Sequence, residues 1–170
     1  LKPDNLFTPE YAYFSSTSSS WCNHAKKYVN NAISRLSLDK NSFVLEIASN
    51  DGYLLQYVKE KKIKCLGIEP TVKTANEAER KGITTIKEFF GESLSLDLLN
   101  MGKVPETGCD LVVANNVLAH VPNLIDFRNG ILNLINNNGI CTIEVPHIME
   151  LIKEGTFDTI YHEHYYYFSL

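Results

Sequence analysis

The densest chemistry in the chain lies near its end, where Tyr161-His162-Glu163-His164 is followed by Tyr165, Tyr166 and Tyr167. Imidazole titrates near neutral pH. Beside a carboxylate and several phenols it can remove a proton while O–H donors meet the negative charge that develops. Three readings of this segment stand side by side: acid–base chemistry, a tyrosine-rich patch that packs on another domain, and a metal site adding His147 to His162 and His164. The H-E-x-x-H helix pattern that would favour a metal is missing, so no metal is expected. His120, in the run Asn115-Asn116-Val117-Leu118-Ala119-His120, is a second imidazole of interest, although alone it would read as a loop histidine.

A second constellation opens with Glu46-Ile47-Ala48-Ser49-Asn50-Asp51-Gly52. A dinucleotide site would place G-x-G-x-x-G here, with a pyrophosphate on the following helix N-terminus. This turn has one glycine and two carboxylates, Glu46 and Asp51, which would repel a pyrophosphate and attract a cation. Glu69 closes the next apolar run, 17 residues after Gly52, where a carboxylate can accept from two ribose hydroxyls. The combination suits a nucleoside without phosphates that carries a positive centre, which describes S-adenosylmethionine (SAM).

These residues need a scaffold, and the hydropathy pattern supplies one. Apolar runs over 43–48, 63–69, 83–89, 110–115 and 140–145 are strand-length and continuous, as in strands covered on both faces. Between them lie amphipathic or helix-forming stretches over 53–62, 71–81, 94–101 and 124–135, the last stopped by Asn136-Asn137-Asn138-Gly139. Ahead of the first strand, Trp21, Ala25, Tyr28, Val29, Ala32, Ile33 and Leu36 repeat at helical spacing, with Ser18 or Ser19 as the N-cap. Residues 1–16 read as an ordered non-helical arm. Strands alternating with helices predict an α/β open sheet, mainly parallel, whose ligands bind at the carboxyl ends of the strands. The expected organisation is an arm and helix over 1–38 and the α/β unit over 39–170.

Composition narrows the partners. Of the 170 residues, 44% are apolar and 21% charged, enough for a packed core. The net charge of −4 argues against nucleic acid or an anionic membrane surface. Apolar runs fall well short of the roughly 20 residues that span a bilayer. The four cysteines, Cys22, Cys65, Cys109 and Cys141, lack paired spacing for structural zinc, and they read as reduced thiols of a cytoplasmic protein.

The turn resembles the first motif of the class I SAM-dependent methyltransferases, E-x-G-x-G-x-G. Glu46 and Gly52 match, and Ala48 and Asn50 replace glycines. Glu69-Pro70, Phe89-Phe90 and Asn115-Asn116 occur in the order that family would place its ribose, adenine and post-strand-four segments. A closer resemblance is to the sugar C-methyltransferases, which methylate C3 of nucleotide-linked 4-keto-6-deoxy sugars. It rests on the turn as E-I-A-S-N-D-G-Y-L, on Tyr11-Ala12-Tyr13-Phe14-Ser15-Ser16, and on Tyr161-His162-Glu163-His164. The resemblance implies SAM as cofactor, held by Glu46, Ala48, Asn50, Gly52, Glu69, Pro70, Phe89, Phe90, Asn115 and Asn116. It implies His164 as catalytic base, with Glu163, Tyr161, His120 and Tyr13 lining the same pocket. It also implies a longer parent chain, with a cysteine-ligated zinc module before this segment and further strands and a second α/β domain after it, so the segment reads as a fragment truncated after strand five. The alternatives are a methyltransferase for another small acceptor and a non-catalytic SAM-binding module.

Overall fold

The computed structural model describes residues 7, 8, 11, 13–156, 158 and 160–169. Residues 1–6, 9, 10, 12, 157, 159 and 170, on which parts of the arm and tail expectations fall, lie outside them. Helix α1 (Ser19–Leu36) starts where the Ser18 hydroxyl accepts from Trp21 N–H. It is followed by β1 (Phe43–Ile47), α2 (Leu55–Glu60), β2 (Lys64–Ile68), α3 (Val72–Arg80), β3 (Thr85–Ile86) and α4 (Glu92–Asn100). Strand β4 (Cys109–Asn115), α5 (Leu124–Leu134), β5 (Ile135–Glu144) and α6 (Ile148–Glu154) complete the order, with short 3-10 turns at Ser15–Thr17 and Leu118–His120.

The five strands form one sheet in the order β3-β2-β1-β4-β5, and every pairing is parallel. Every residue of the central strand β1 is buried, because helices cover both of its faces. Val44 joins Ala25 and Val29 of α1, Leu55 and Val58 of α2 and Ala78 of α3 in one apolar cluster. Leu45 and Ile47 point to the other face, where Leu94 and Leu98 of α4 meet Phe127, Ile131 and Leu134 of α5. The strand order reverses between β1 and β4. Their carboxyl ends therefore part and leave the crevice that such sheets use for ligands.

Three expectations are corrected here. The segment 136–139 is strand rather than a helix stop: α5 ends at Leu134, Ile135 pairs with Cys109, and a register shift between Cys109 and Leu111 absorbs the extra residues. The Asn136 carboxamide is fastened to Asp110 Oδ1 at 2.8 Å, so the asparagines serve the bulge. The third strand is two residues long instead of seven, since it lies at the sheet edge and pairs with β2 alone. The arm is not wholly non-helical, because Ser15–Thr17 makes a 3-10 turn beneath the start of α1. Helix α6 was not foreseen.

Candidate active site

The crevice is a cavity of about 790 Å³ over the carboxyl ends of β1, β2 and β4. Its nucleoside-facing half is built on the turn after β1. Ala48 and Asn50 line the wall and adopt φ of +57° and +50°. That left-handed backbone is the conformation a glycine takes most easily, which accounts for glycines at these positions in the resembling motif. Gly52, at φ +75°, stands behind the wall: a Cβ there would lie 2.4 Å from Ile83 Cδ1 and 3.3 Å from Ala78 Cβ. Its bareness serves the packing of the turn on α3 and Ile83.

The carboxylate at the end of β2 does double work. Glu69 Oε2 accepts from Asn50 N–H at 3.0 Å and Oε1 accepts from Thr71 N–H at 2.9 Å and from the Thr71 hydroxyl. It thus pins the turn and the start of α3 while lining the cavity beside Pro70. Burial raises its pKa, and the bonds from Thr71 and Asn50 oppose that rise. Phe90 lines the wall from within the core, packed edge-on against Phe127 with centroids 5.4 Å apart, whereas Phe89 is exposed at the mouth. Asn115 is buried at the wall. Asn116, at φ +51°, donates its N–H to Glu144 O at 2.8 Å and its side-chain amide to Glu144 Oε1 at 3.3 Å.

Two carboxylates of the turn sit differently from expectation. Asp51 faces away from the cavity, buried against Ser16 N–H and hydroxyl and Lys81 Nζ at 3.3 Å, so its charge is committed to an ion pair. Glu46 is also absent from the cavity wall. Its side chain is 1% exposed, and neither oxygen has a hydrogen-bond partner among the described residues. Burial, then the charges of Glu69 and Asp51, lift its pKa well above the ordinary carboxylate range. A buried carboxyl group without a partner beneath the turn would ionise more readily with positive charge above it, which fits a cationic nucleoside better than a phosphorylated one.

The other half holds the acid–base residues together. Tyr13, His120, Tyr161, Glu163 and His164 all line the same cavity. The His164 ring lies 4.7 Å from the His120 ring and 4.3 Å from the Tyr161 ring, centre to centre. A turn makes this possible, closed by His164 N–H to Tyr161 O at 3.1 Å and tied to the loop after β4 by Tyr165 N–H to Ala119 O at 2.7 Å. His120 Nδ1 lies 3.1 Å from Glu163 O. A carbonyl only accepts, so Nδ1 carries the hydrogen and Nε2 the lone pair. Burial, with His164 nearby, lowers the His120 pKa. Burial, then Glu163, raises that of Tyr161, which keeps its phenol a donor at neutral pH. His162 is exposed and does not line the cavity. Among the described residues no three His, Cys, Asp or Glu side chains converge as a metal-binding group.

The cavity also takes Phe7, Tyr11, Trp21 and Tyr53, which residue types alone did not single out as site residues. Trp21 and Tyr53 stack with centroids 6.2 Å apart. Both fall in apolar spacing that reads as core packing, Trp21 on α1 and Tyr53 in the turn ahead of α2, which hides a second role. Phe7 meets the His120 ring edge-on at 5.4 Å. Tyr11 is half-buried, and its phenol is raised first by burial and then by Glu163 and Tyr161. Its one sequence signal is the Tyr-x-Tyr spacing with Tyr13.

Comparison with known proteins follows this geometry. A family model described as a methyltransferase domain matches residues 22–170. The C-methyltransferase NovU of Streptomyces niveus is 31% identical over all 170 residues, which span 39% of that relative. Among solved structures, a SAM-dependent methyltransferase from Archaeoglobus fulgidus superposes with a TM-score of 0.67 at 18% identity, covering 87% of this chain and 63% of that one. YcgJ of Bacillus subtilis gives 0.64 at 14% identity, with the same two coverages. At those identities the two structures establish the shared fold. No helix of the described residues is long and apolar enough to cross a membrane.

Proposed function

The chain belongs to the methyltransferase domain family, and from that premise we propose that it is the SAM-binding part of a C-methyltransferase whose acceptor is a nucleotide-linked keto sugar. The observation that carries this reading is that one cavity joins the Glu69 turn to the His120–Tyr161–Glu163–His164 group. The NovU similarity supports carbon as the site of methylation, and the chain spans only part of that relative. Ala48, Asn50, Glu69, Pro70, Phe89, Phe90, Asn115 and Asn116 would hold the cofactor, with Glu46 beneath them as a buried carboxyl group. When bound, SAM supplies an electrophilic methyl group on a positively charged sulfur.

The chain's own residues do the rest. A proton on the carbon next to a ketone is acidic only if its removal is assisted. His164 takes that proton from C3, and the electron pair moves into the C4 carbonyl as an enolate. The phenols of Tyr161 and Tyr13 donate to the developing oxyanion. His120, neutral and tethered to the Glu163 carbonyl, holds the turn that presents His164. Methyl transfer from a bound SAM to C3 would follow, and what this cavity would contribute to it is alignment of donor and acceptor. An oxygen acceptor would need less acid–base apparatus than these residues provide.

The test is methyl transfer by the full-length protein to a thymidine-diphosphate-linked 4-keto-6-deoxy sugar. Product carrying the methyl group at C3 supports the reading. Methylation at an oxygen, or equal turnover by His164→Ala, overturns it.

A further inference from the structure

Asn50 touches both halves of the cavity at once. Its backbone N–H donates to Glu69 Oε2 at 3.0 Å, on the nucleoside side. Its carboxamide turns toward the arm: Oδ1 accepts from Ser15 N–H at 2.9 Å, and Nδ2 donates to Tyr13 O at 2.8 Å. Asp51 adds bonds from Ser16 N–H at 3.2 Å and from the Ser16 hydroxyl, and Lys81 Nζ closes the group with a 3.1 Å bond to the same hydroxyl. The arm and the turn are therefore fastened by side chains of the turn itself. A glycine would satisfy the φ of +50° without strain. What Asn50 adds over glycine is the two-bond carboxamide.

Tyr13 depends on that clamp. Its side chain is 61% exposed, so burial contributes little to holding it, and its carbonyl is the acceptor Asn50 grips. Yet Tyr13 lies close enough to act on the ionisation of Tyr11 and of Tyr161, and Glu163 acts on the same two phenols. We propose that Asn50 is a positioning residue that couples the cofactor turn to the arm, so that occupying the turn seats Tyr11 and Tyr13 and completes the acceptor wall. The coupling rests on the reading of the turn as the cofactor end of the cavity. A ligand drawing on Glu69 and the left-handed backbone narrows the conformations of Asn50, and the carboxamide passes that ordering to a segment 35 to 37 residues away in sequence.

Hydrogen exchange by mass spectrometry on the full-length protein tests this, read at the amides of residues 16–18 with and without saturating S-adenosylhomocysteine. In the wild type the ligand slows their exchange at least fivefold. In Asn50→Gly exchange without ligand rises about tenfold, as expected for losing two bonds that hold a local segment, and the ligand no longer slows it. Asn50→Asp keeps the acceptor for Ser15 and falls between. Ser15→Pro removes the same N–H from the arm's side with Asn50 intact, and the extended backbone of Phe14 (φ −102°, ψ 107°) accommodates a following proline. It must also abolish the ligand response. A wild type that binds the ligand by calorimetry with an unresponsive arm overturns the coupling alone, as do variants that respond like the wild type. A wild type that binds no ligand overturns the cofactor reading and the coupling with it.

Discussion

The imidazoles of His120 and His164 face one cavity with their centres 4.7 Å apart and their planes inclined by 58°. Two rings this close do not readily hold two protons, and burial acts in the same direction on His120, whose pKa lies below its ordinary 6.5. The unfolded chain takes up that proton first, so His120 makes the fold less stable as pH falls below 6.5 and neutral above it. His120 is therefore set to stay neutral beside His164.

Replacing His164 by Ala should reduce methyl transfer by about 10²- to 10⁴-fold, the usual loss for a general base. Its ring lies against those of Tyr161 and His120 and belongs to the acid–base group rather than the Glu69 turn, so S-adenosylhomocysteine affinity should change less than threefold, on the order of 0.6 kcal/mol. Parallel turnover and calorimetry check this. Equal losses in both would place His164 in the cofactor site.

Glu69→Gln should weaken S-adenosylhomocysteine binding about tenfold or more, since a charged acceptor bond contributes about 1.5–3 kcal/mol. The same substitution leaves an amide in place of a carboxylate that accepts from both Asn50 and Thr71 N–H. The melting temperature should fall with it. Unchanged binding would mean that Glu69 serves the turn alone.

Glu46 gives the stability curve a definite slope. Its pKa in the fold lies well above the ordinary 4.5, so the folded state holds the proton more tightly than the unfolded chain. Its contribution is full below that ordinary value and is lost as pH rises toward the folded value. Glu46→Gln cannot ionise and so removes this loss: the ligand-free variant should gain stability over the wild type as pH rises above 4.5, and the gain should be absent below it. Urea unfolding at several pH values measures it, and equal slopes for both proteins would contradict the account.

The two small residues of the turn respond in opposite ways. Ala48→Gly relieves a left-handed alanine, a gain of about 1–2 kcal/mol that the greater freedom of the unfolded glycine partly cancels. The net change should be a stabilisation of about 0.5–1 kcal/mol. Gly52→Ala brings a Cβ within 2.4 Å of Ile83 Cδ1 at φ +75° and should cost about 1–3 kcal/mol. Denaturant midpoints distinguish the two.

How far the sequence could be read depends on what each residue answers to. The buried strands β1, β2 and β4 are legible because a strand covered on both faces has to be apolar throughout, and Ser18 is legible because few residue types cap a helix. Thr85–Ile86 and the bulge at 136–139 are not, since strand length at an edge is decided by the partner strand and not by local preference. In the site, the tail histidines and Glu69 stand out as chemistry-bearing types at strand ends. Trp21 and Tyr53 do not, because an aromatic in an apolar repeat has the same pattern whether it faces core or cavity. The opposite destinations of Asn50 and Asp51, one on the wall and one in an ion pair with Lys81, follow from a left-handed turn that no hydropathy pattern records.

The central claim is that this cavity removes hydrogen from carbon. Its most direct measurement is deuterium uptake from D₂O at C3 of the keto sugar, followed by NMR in the full-length protein with saturating S-adenosylhomocysteine, so that no methyl can transfer. Uptake by the wild type that falls at least a hundredfold in His164→Ala is the expected result. Wild-type uptake no faster than in buffer, from a preparation that methylates the sugar once SAM replaces S-adenosylhomocysteine, would contradict it.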